Sequence, residues 1–263
     1  MEQHKIKIGI PHMDDEDFYS SYYGTSLNDC DHLHIDSNDS KYDLEIYITS
    51  FDGVLYASYQ MKMLEAFLHD VNYHLIFCDT NSHINSEASK ETKELCAKNN
   101  VGYIKLPHNK FQDLPCFSSK LGTDMNWIWR NCIQQRKPKY FGFLEQDCFL
   151  IKPIWSYLKN YLDNKGMYGY AYPDADDVNI DKTYWLVHIM NNFFSYDFVK
   201  DIDLDFRPAG FIGLDVSGCN YFTLFILNIK VIKSIIKLFN CINDFIIFGI
   251  LIKISIIVLS LSL

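Results

Sequence analysis

The strongest constraint on the fold is a regular alternation of apolar, strand-like segments with helix-like segments between residues 44 and 153. The strand-like segments are LEIYITSF (44–51), YHLIFCDTNS (73–82), VGYIKLP (101–107) and KYFGFLEQDCFLIKP (139–153). The predicted helices between them are YASYQMKMLEAFLH (56–69), SEASKETKELCAKNN (86–100) and GTDMNWIWRNCIQQ (122–135). Strands that alternate with helices in this way predict an α/β domain, with a mostly parallel sheet flanked by helices.

Charge and cysteine content narrow the class of protein. The formal net charge of −9 argues against a broad nucleic-acid surface. A nucleotide remains compatible with that charge, because a metal ion can mask phosphate locally. None of the 8 cysteines forms a CxxC pair, and no apolar signal region opens the chain. We therefore expect reduced cysteines and a cytoplasmic location.

Composition divides the chain into three parts. Residues 1–42 are acidic and polar, and we interpret them as a loosely packed leader. Residues 43–223 carry the α/β pattern. Residues 224–263 form a tail rich in Ile, Leu and Lys, and its last 19 residues, 245–263, carry a single charge, that of Lys253. That length can span a bilayer, so a membrane anchor, a membrane-surface segment and a non-native extension all stay open.

Polar side chains collect where the predicted strands end. Thr49 and Ser50 end the first strand, Asp79 ends the second, and Glu145 and Asp147 end the fourth. Ligands of α/β proteins bind at this edge of the sheet. If the strand continues through Asp147, the two acids at i and i+2 point to one side. Two adjacent carboxylates suit a hard cation such as Mg²⁺ or Mn²⁺, although two solvated surface acids would look the same.

Four segments, in order, resemble the GT-A glycosyltransferases of the nucleotide-diphospho-sugar transferase superfamily, most closely the family-2 type. KYFGFLEQDCFLIKP is similar to the strand that carries the DxD motif, and LIFCDTNS is similar to the second-strand signature. SSKLGTDMNWIWRN resembles the helix before the DxD strand, and DLDFRPAGFIGLDVSG resembles the acceptor-side segment. The resemblance covers residues 43–223 and implies a Rossmann-like GT-A fold, followed here by an atypical hydrophobic tail.

The resemblance also implies roles for individual residues. Asp147 would hold the divalent metal, Mn²⁺ or Mg²⁺, together with Glu145, which departs from the usual Asp. The side chains implied to bind the nucleotide-sugar are Thr49, Ser50, Asp79, Asn81, Glu145 and Gln146.

A general base is expected on the acceptor side. Asp215 in GLDVSG is the first candidate, and a capping Asp is the structural alternative. The acids in YPDADDVN (172–179) are a second candidate for the base. His188 could be a third metal ligand, although a buried, hydrogen-bonded His is the more common case.

The implied activity is transfer of a sugar, of the hexosyltransferase type, from a nucleoside-diphosphate donor with inversion. The acceptor is a glycan, a lipid or a protein, and the tail leaves membrane association open. The alternative is a degenerate, non-catalytic homologue that binds a nucleotide or nothing. A nucleotidyltransferase is disfavoured, because TSFDGVLYASY (49–59) lacks a basic residue after the first strand.

Overall fold

The protein is described here from a computed structural model, which covers residues 16–51, 53–80, 86–113, 117–173, 185–208, 216–220 and 245–247. A seven-stranded sheet has the order β1-β4-β3-β2-β5-β8-β7. Its strands are β1 (His32–Leu33), β2 (Leu44–Ser50), β3 (Tyr73–Asp79), β4 (Gly102–Lys105), β5 (Tyr140–Glu145), β7 (Met167–Pro173) and β8 (Trp185–Ser195). The four central strands β4, β3, β2 and β5 are parallel, whereas β1, β8 and β7 pair antiparallel.

Helices connect the parallel strands, as the sequence pattern predicts. They are α1 (Glu16–Tyr23), α2 (Val54–Phe67), α3 (Glu87–Asn99), α4 (Phe117–Ile128), α5 (Gln134–Arg136), α6 (Trp155–Lys165), α7 (Tyr196–Val199) and α8 (Gly218–Asn220), with a π-helical turn over Trp129–Ile133. The predicted α/β fold with a mostly parallel, helix-flanked sheet is therefore confirmed. A crossover helix is what allows neighbouring strands to run parallel.

The core forms because the central strands are buried on both faces. Apolar side chains from β2, β3 and β5 are buried almost completely, as expected for strands covered by helices on each side. Gly142 in the middle of β5 is required by packing, since a Cβ there would lie 2.3 Å from the Phe193 ring of β8. On the opposite face of the sheet, the ring of Phe194 packs against those of Phe141 and Phe206.

Residues 16–42 pack against the domain, so the interpretation of a loosely packed leader is wrong for this part. The Tyr22 hydroxyl of α1 donates a 2.7 Å hydrogen bond to Asp124 of α4, and both side chains are buried. Strand β1 adds to the edge of the sheet, with His32 opposite Ile104 of β4. Polar composition misled the prediction because three buried apolar residues, Tyr22, Leu27 and Ile35, suffice to pack this segment on the core. The division of the chain at residue 42 stays a prediction.

Two helices differ in detail from their sequence patterns. The predicted helix at 122–135 begins earlier, at Phe117, so Thr123 and Asp124 lie inside α4 and do not cap it. The inner face of α2 is formed by Ala57, Gln60 and Leu64. Tyr59 lies outside this face, with its side chain 47% exposed.

The tail is described only at β9 (Phe245–Ile247), which pairs antiparallel with β6 (Cys148–Leu150) in a separate two-stranded sheet. The rest of the segment 224–263 lies outside the described residues. Within the described ranges, no helix is long and apolar enough to cross a bilayer. The three interpretations of the tail stay open.

Candidate functional site

The register of the sheet brings four of the predicted site residues to one edge, but on two faces. Thr49 pairs laterally with Glu145, and Ser50 pairs with Asp79. Neighbours in register share a face, and successive residues of a strand alternate. Thr49 and Glu145 therefore point to one face of the sheet, and Ser50 and Asp79 point to the other.

The acidic pair lies in a turn and not in a continuous strand. Strand β5 ends at Glu145, residues 146 and 147 form a turn, and β6 begins at Cys148. The argument that Glu145 and Asp147 share a strand face is therefore wrong, since strand alternation ends before Asp147. Both side chains, with that of Gln146 between them, are partly exposed. We call residues 145–147 the acidic turn.

Two glutamines hold the acidic turn. The Gln146 Oε1 atom accepts a 2.9 Å hydrogen bond from the backbone N–H of Phe51, which follows β2. The buried Gln60 of α2 places its Nε2 atom 3.0 Å from the Glu145 carbonyl oxygen, 3.2 Å from that of Gln146 and 2.7 Å from that of Cys148. An amide nitrogen has only two N–H groups, so these three acceptors share them.

Sequence reasoning missed Gln60. The sequence did contain an indication of its role, because Gln60 lies at helical spacing from the apolar residues Ala57 and Leu64, on the buried face of α2. A polar side chain on a buried stripe usually has a specific hydrogen-bonding partner. The partner itself lies 85 or more residues away in the chain, so only the folded structure identifies it.

Asp79 is bound to its neighbours and almost completely buried. Its Oδ2 atom accepts hydrogen bonds from the Tyr103 hydroxyl at 2.7 Å and from Lys105 Nζ at 3.2 Å. Lys105 also donates to Ser89 Oγ of α3 at 3.0 Å. The nearby carboxylate contributes, after burial, to raising the pKa of the Cys96 thiol to about 12. The Oδ2 atom of Asp79 is therefore engaged by neighbouring side chains of the protein itself.

The acceptor-side segment is anchored on the face to which Glu145 points. Phe206 packs edge-to-face on Phe143, with ring centroids 5.1 Å apart. Phe143 and Glu145 are two residues apart on β5 and share a face. The Ser217 N–H donates a 2.7 Å hydrogen bond to the Phe206 carbonyl oxygen. Phe206 and Ser217 are thus tied to this face of the sheet.

Several predicted residues cannot be placed. Asp215, Asn81 and the acids at positions 174, 176 and 177 lie outside the described residues. His188 lies in β8, where it pairs in register with Tyr170 of β7. The roles predicted for these residues stay predictions.

The electrostatics of the acidic turn suit a cation. The Cys148 thiol is buried beside the turn, and its pKa is raised first by burial and then by the negative charges of Glu145 and Asp147. Among the residues that the structure describes, no group of three or more His, Cys, Asp or Glu side chains is arranged to hold a metal. Two carboxylates fit a hard divalent ion whose other ligands come from phosphate oxygens and water. The donor set of the turn therefore fits Mg²⁺ or Mn²⁺ bound together with a diphosphate.

No protein-family model matches the chain, and no curated protein matches it in sequence.

Solved structures to which the chain is similar include GT-A-type glycosyltransferases. Residues 1–349 of S. aureus TarS are 14% identical, with a TM-score of 0.41 and a match that covers 64% of this chain and 51% of that one. The mannosyltransferase PcManGT from Pyrobaculum calidifontis, in complex with GDP-Man and Mn²⁺, is 10% identical, with a TM-score of 0.43 and coverages of 68% and 52%.

The galactosyltransferase LgtC, in complex with donor and acceptor sugar analogs, is 12% identical, with a TM-score of 0.43 and coverages of 68% and 70%. This chain spans about half the length of the TarS and PcManGT chains that it matches.

Proposed function

We propose that this protein transfers a sugar from a nucleoside-diphosphate donor to an acceptor hydroxyl, with inversion and with the help of a divalent metal. The observation that carries the proposal is the edge at which β2 and β5 end together. There Thr49 lies beside Glu145, and the acidic turn follows in partly exposed positions. An anionic diphosphate at such an edge needs a cation, and the turn supplies carboxylates to hold one.

In this proposal the acidic turn and the end of β2 bind the donor. Asp147 and Glu145 hold the cation, which when bound stabilises the negative charge that develops on the departing diphosphate. Thr49 and Gln146 border the nucleotide. Gln146 also fixes the distance between the two loops through its bond to the Phe51 N–H.

The sequence resemblance implies three further nucleotide-binding residues in this proposal, namely Asn81, Ser50 and Asp79.

Proton transfer is assigned to Asp215 in the proposal. An inverting transfer needs a base that removes the proton from the acceptor hydroxyl as that oxygen attacks the sugar carbon. The anchoring of Ser217 through Phe206 to the Phe143 side of β5 supports this assignment. That is the face to which Glu145 points, and Asp215 precedes Ser217 by two residues in the sequence.

A second candidate is a non-catalytic homologue that binds a nucleotide or nothing. The observation that favours it is the placement of Asp79, which is almost completely buried, paired with Lys105 and hydrogen-bonded by the Tyr103 hydroxyl. Ser50 is buried on the same face. Two of the expected nucleotide contacts therefore lie away from the face of Thr49 and Glu145.

The test is thermal unfolding of the full chain with UDP, GDP and their sugar conjugates, with and without Mn²⁺. A ligand that binds only the folded state raises its stability, by about 2.7 kcal/mol at 100 times the dissociation constant. We expect one nucleotide to raise the midpoint in a metal-dependent way. Asp147→Ala should abolish the metal-dependent part, whereas Asp70→Ala, which removes an exposed acid after α2, should retain it.

Sugar release from the donor separates the two candidates. A metal-dependent shift together with turnover supports the transferase, and loss of turnover in Asp215→Ala with retained nucleotide binding supports the assigned base. A shift without turnover for any sugar conjugate favours the binding homologue. If no ligand shifts the unfolding midpoint of a folded sample, the proposed nucleotide site is contradicted.

A further inference from the structure

A cavity of about 360 Å³ lies at the edge of the sheet opposite the acidic turn. Its walls are the segment 40–43 before β2, the segment 137–139 before β5, and Tyr196 and Asp197 after β8. The strand β2 begins beside this cavity and ends at Ser50. A strand of that length separates the two edges by about 20 Å, so the cavity is not part of the proposed donor site.

The cavity carries more positive than negative side chains, in a chain whose net charge is −9. Its lining includes Lys41, Lys137 and Lys139 against Asp43 and Asp197. Within the described ranges, no carboxylate lies within ion-pair distance of Lys41 or Lys139, and their ammonium groups lie over the rings of adjacent tyrosines. These two lysines keep their charge available to a ligand.

Two other charged residues of the cavity, Lys137 and Asp197, form ion pairs with residues outside its lining. Lys137 lies 3.4 Å from Asp39, and both side chains are more than half exposed. Asp197 lies 3.0 Å from Lys200. Exposed pairs of this kind contribute little and exchange partners readily. The Lys200 ammonium group therefore offsets only part of the negative charge of Asp197.

Backbone hydrogen bonds hold the three walls in place. The Ser40 N–H donates to the Arg136 carbonyl oxygen at 2.6 Å, and the Tyr140 N–H donates to the Asp43 carbonyl oxygen at 3.0 Å. The Tyr196 N–H donates to the Lys139 carbonyl oxygen at 3.1 Å. Below them the buried Arg136 is bound to Glu45. The lysines are therefore presented by a fixed frame, which lowers the ordering cost of binding.

We propose that this cavity binds a small anion that bears a phosphate group. Lysine ammonium groups bind phosphate as point charges, and the lining also contains the hydroxyl groups of Tyr42 and Tyr196 as hydrogen-bond donors. A doubly charged anion gains more from two or three ammonium groups than a carboxylate does. The phosphate belongs either to a free metabolite or to a lipid headgroup, since both present the same chemistry.

The experiment is calorimetric titration of the full chain with inorganic phosphate and with pyrophosphate, at low ionic strength and with EDTA present. The chelator suppresses binding at the acidic turn, which in our proposal needs a divalent cation. We expect saturable binding that the double substitution Lys41→Gln and Lys139→Gln weakens by about tenfold or more. The matched control is Lys90→Gln with Lys98→Gln, two exposed lysines of α3, which should leave binding unchanged.

A parallel arm distinguishes the two sources of phosphate. The same variants are sedimented with phosphatidylcholine vesicles that contain or lack phosphatidic acid. Binding to soluble phosphate that depends on Lys41 and Lys139 supports a free metabolite, and vesicle binding alone with that dependence supports a lipid headgroup. If neither probe binds, or if the double variant binds as well as the control, the proposal is overturned. Asp147→Ala should leave phosphate binding intact, so this result is independent of the transferase proposal.

Discussion

The Gln146 side chain accepts a 2.9 Å hydrogen bond from the Phe51 N–H and so joins two loops that are 95 residues apart in sequence. This bond connects the acidic turn after β5 with the loop after β2, the two segments that would bind a diphosphate from either side. Because Gln146 is partly exposed, the bond contributes to the geometry of the site more than to the stability of the fold.

Gln146→Ala should therefore weaken nucleotide binding with little loss of stability. Removal of a hydrogen bond of this kind costs about 0.5–1.5 kcal/mol, which corresponds to a loss of affinity of roughly threefold to tenfold. The measurement pairs nucleotide titration in Mn²⁺ with thermal unfolding. Gln135→Ala is the matched control, because that glutamine of α5 is exposed. Equal affinities for the two variants would show that the bond does not shape the site.

Gln60→Leu should destabilise the fold, in contrast to Gln146→Ala. The substitution keeps the volume of the buried side chain but removes the donor that serves the carbonyl oxygens of Glu145, Gln146 and Cys148. Carbonyl groups left buried without a donor cost about 1–3 kcal/mol. Denaturant unfolding of the variant measures this loss, and Gln135→Leu is the exposed control. An unchanged midpoint would mean that water replaces the lost donor.

The sequence predicted the layers of the fold more completely than the site. Apolar runs with helical segments between them were enough to locate β2, β3, β4 and β5, because burial of strands on both faces leaves a continuous apolar signal. The end of β5 was not predictable in this way. Its spacing predicts Asp147 as a strand residue, but the chain turns after Glu145. At that turn Gln60, from a distant helix, binds the backbone carbonyl groups.

The position of Asp79 shows the same limit. An acid after a strand predicts a residue at the ligand edge, and Asp79 is at that edge. Because side chains alternate along a strand, Asp79 points to the face of the sheet that α3 covers. There Lys105 and Tyr103 bind it. The face of the sheet to which a strand residue points can be assigned only when the register with neighbouring strands is known. That register depends on contacts between distant segments. Pairwise contacts across the sheet are therefore what sequence reasoning about this site lacked.

The buried ion pair of Arg136 and Glu45 gives a prediction about stability. Arg136 Nε lies 3.0 Å from Glu45 Oε1, and both side chains are almost fully buried. Removal of one partner leaves an uncompensated buried charge, which costs about 3–5 kcal/mol. We expect Arg136→Met alone to lose stability by that amount.

The control for this pair is the double variant Arg136→Met with Glu45→Leu, studied by denaturant unfolding. It should recover a large part of the loss, because no charge is then left buried without a partner. Tyr47 limits the recovery, since its hydroxyl donates a 2.6 Å hydrogen bond to Glu45 in the native protein. Additive losses in the double variant would contradict a coupled pair.

His74 gives a prediction about pH. Burial lowers the pKa of this imidazole from 6.5 to about 4, with Glu45 acting in the opposite direction and Arg136 and Lys41 in the same one. The Tyr42 ring stacks on it at 4.6 Å, and its Nδ1 atom has no hydrogen-bond partner among the described residues. The folded protein therefore holds His74 neutral at a pH where the unfolded chain binds a proton.

The sign of the effect follows from proton binding. Between pH 6.5 and about 4 the unfolded state binds more protons at His74 than the folded state does, so stability falls as the pH falls through this window. A shift of this size corresponds to a loss of up to about 3 kcal/mol. Unfolding free energies measured across the window should decline less steeply for His74→Gln than for the unchanged protein. His69→Gln, which removes an exposed histidine after α2, should retain the full slope, and identical slopes in all three proteins would contradict a buried neutral His74.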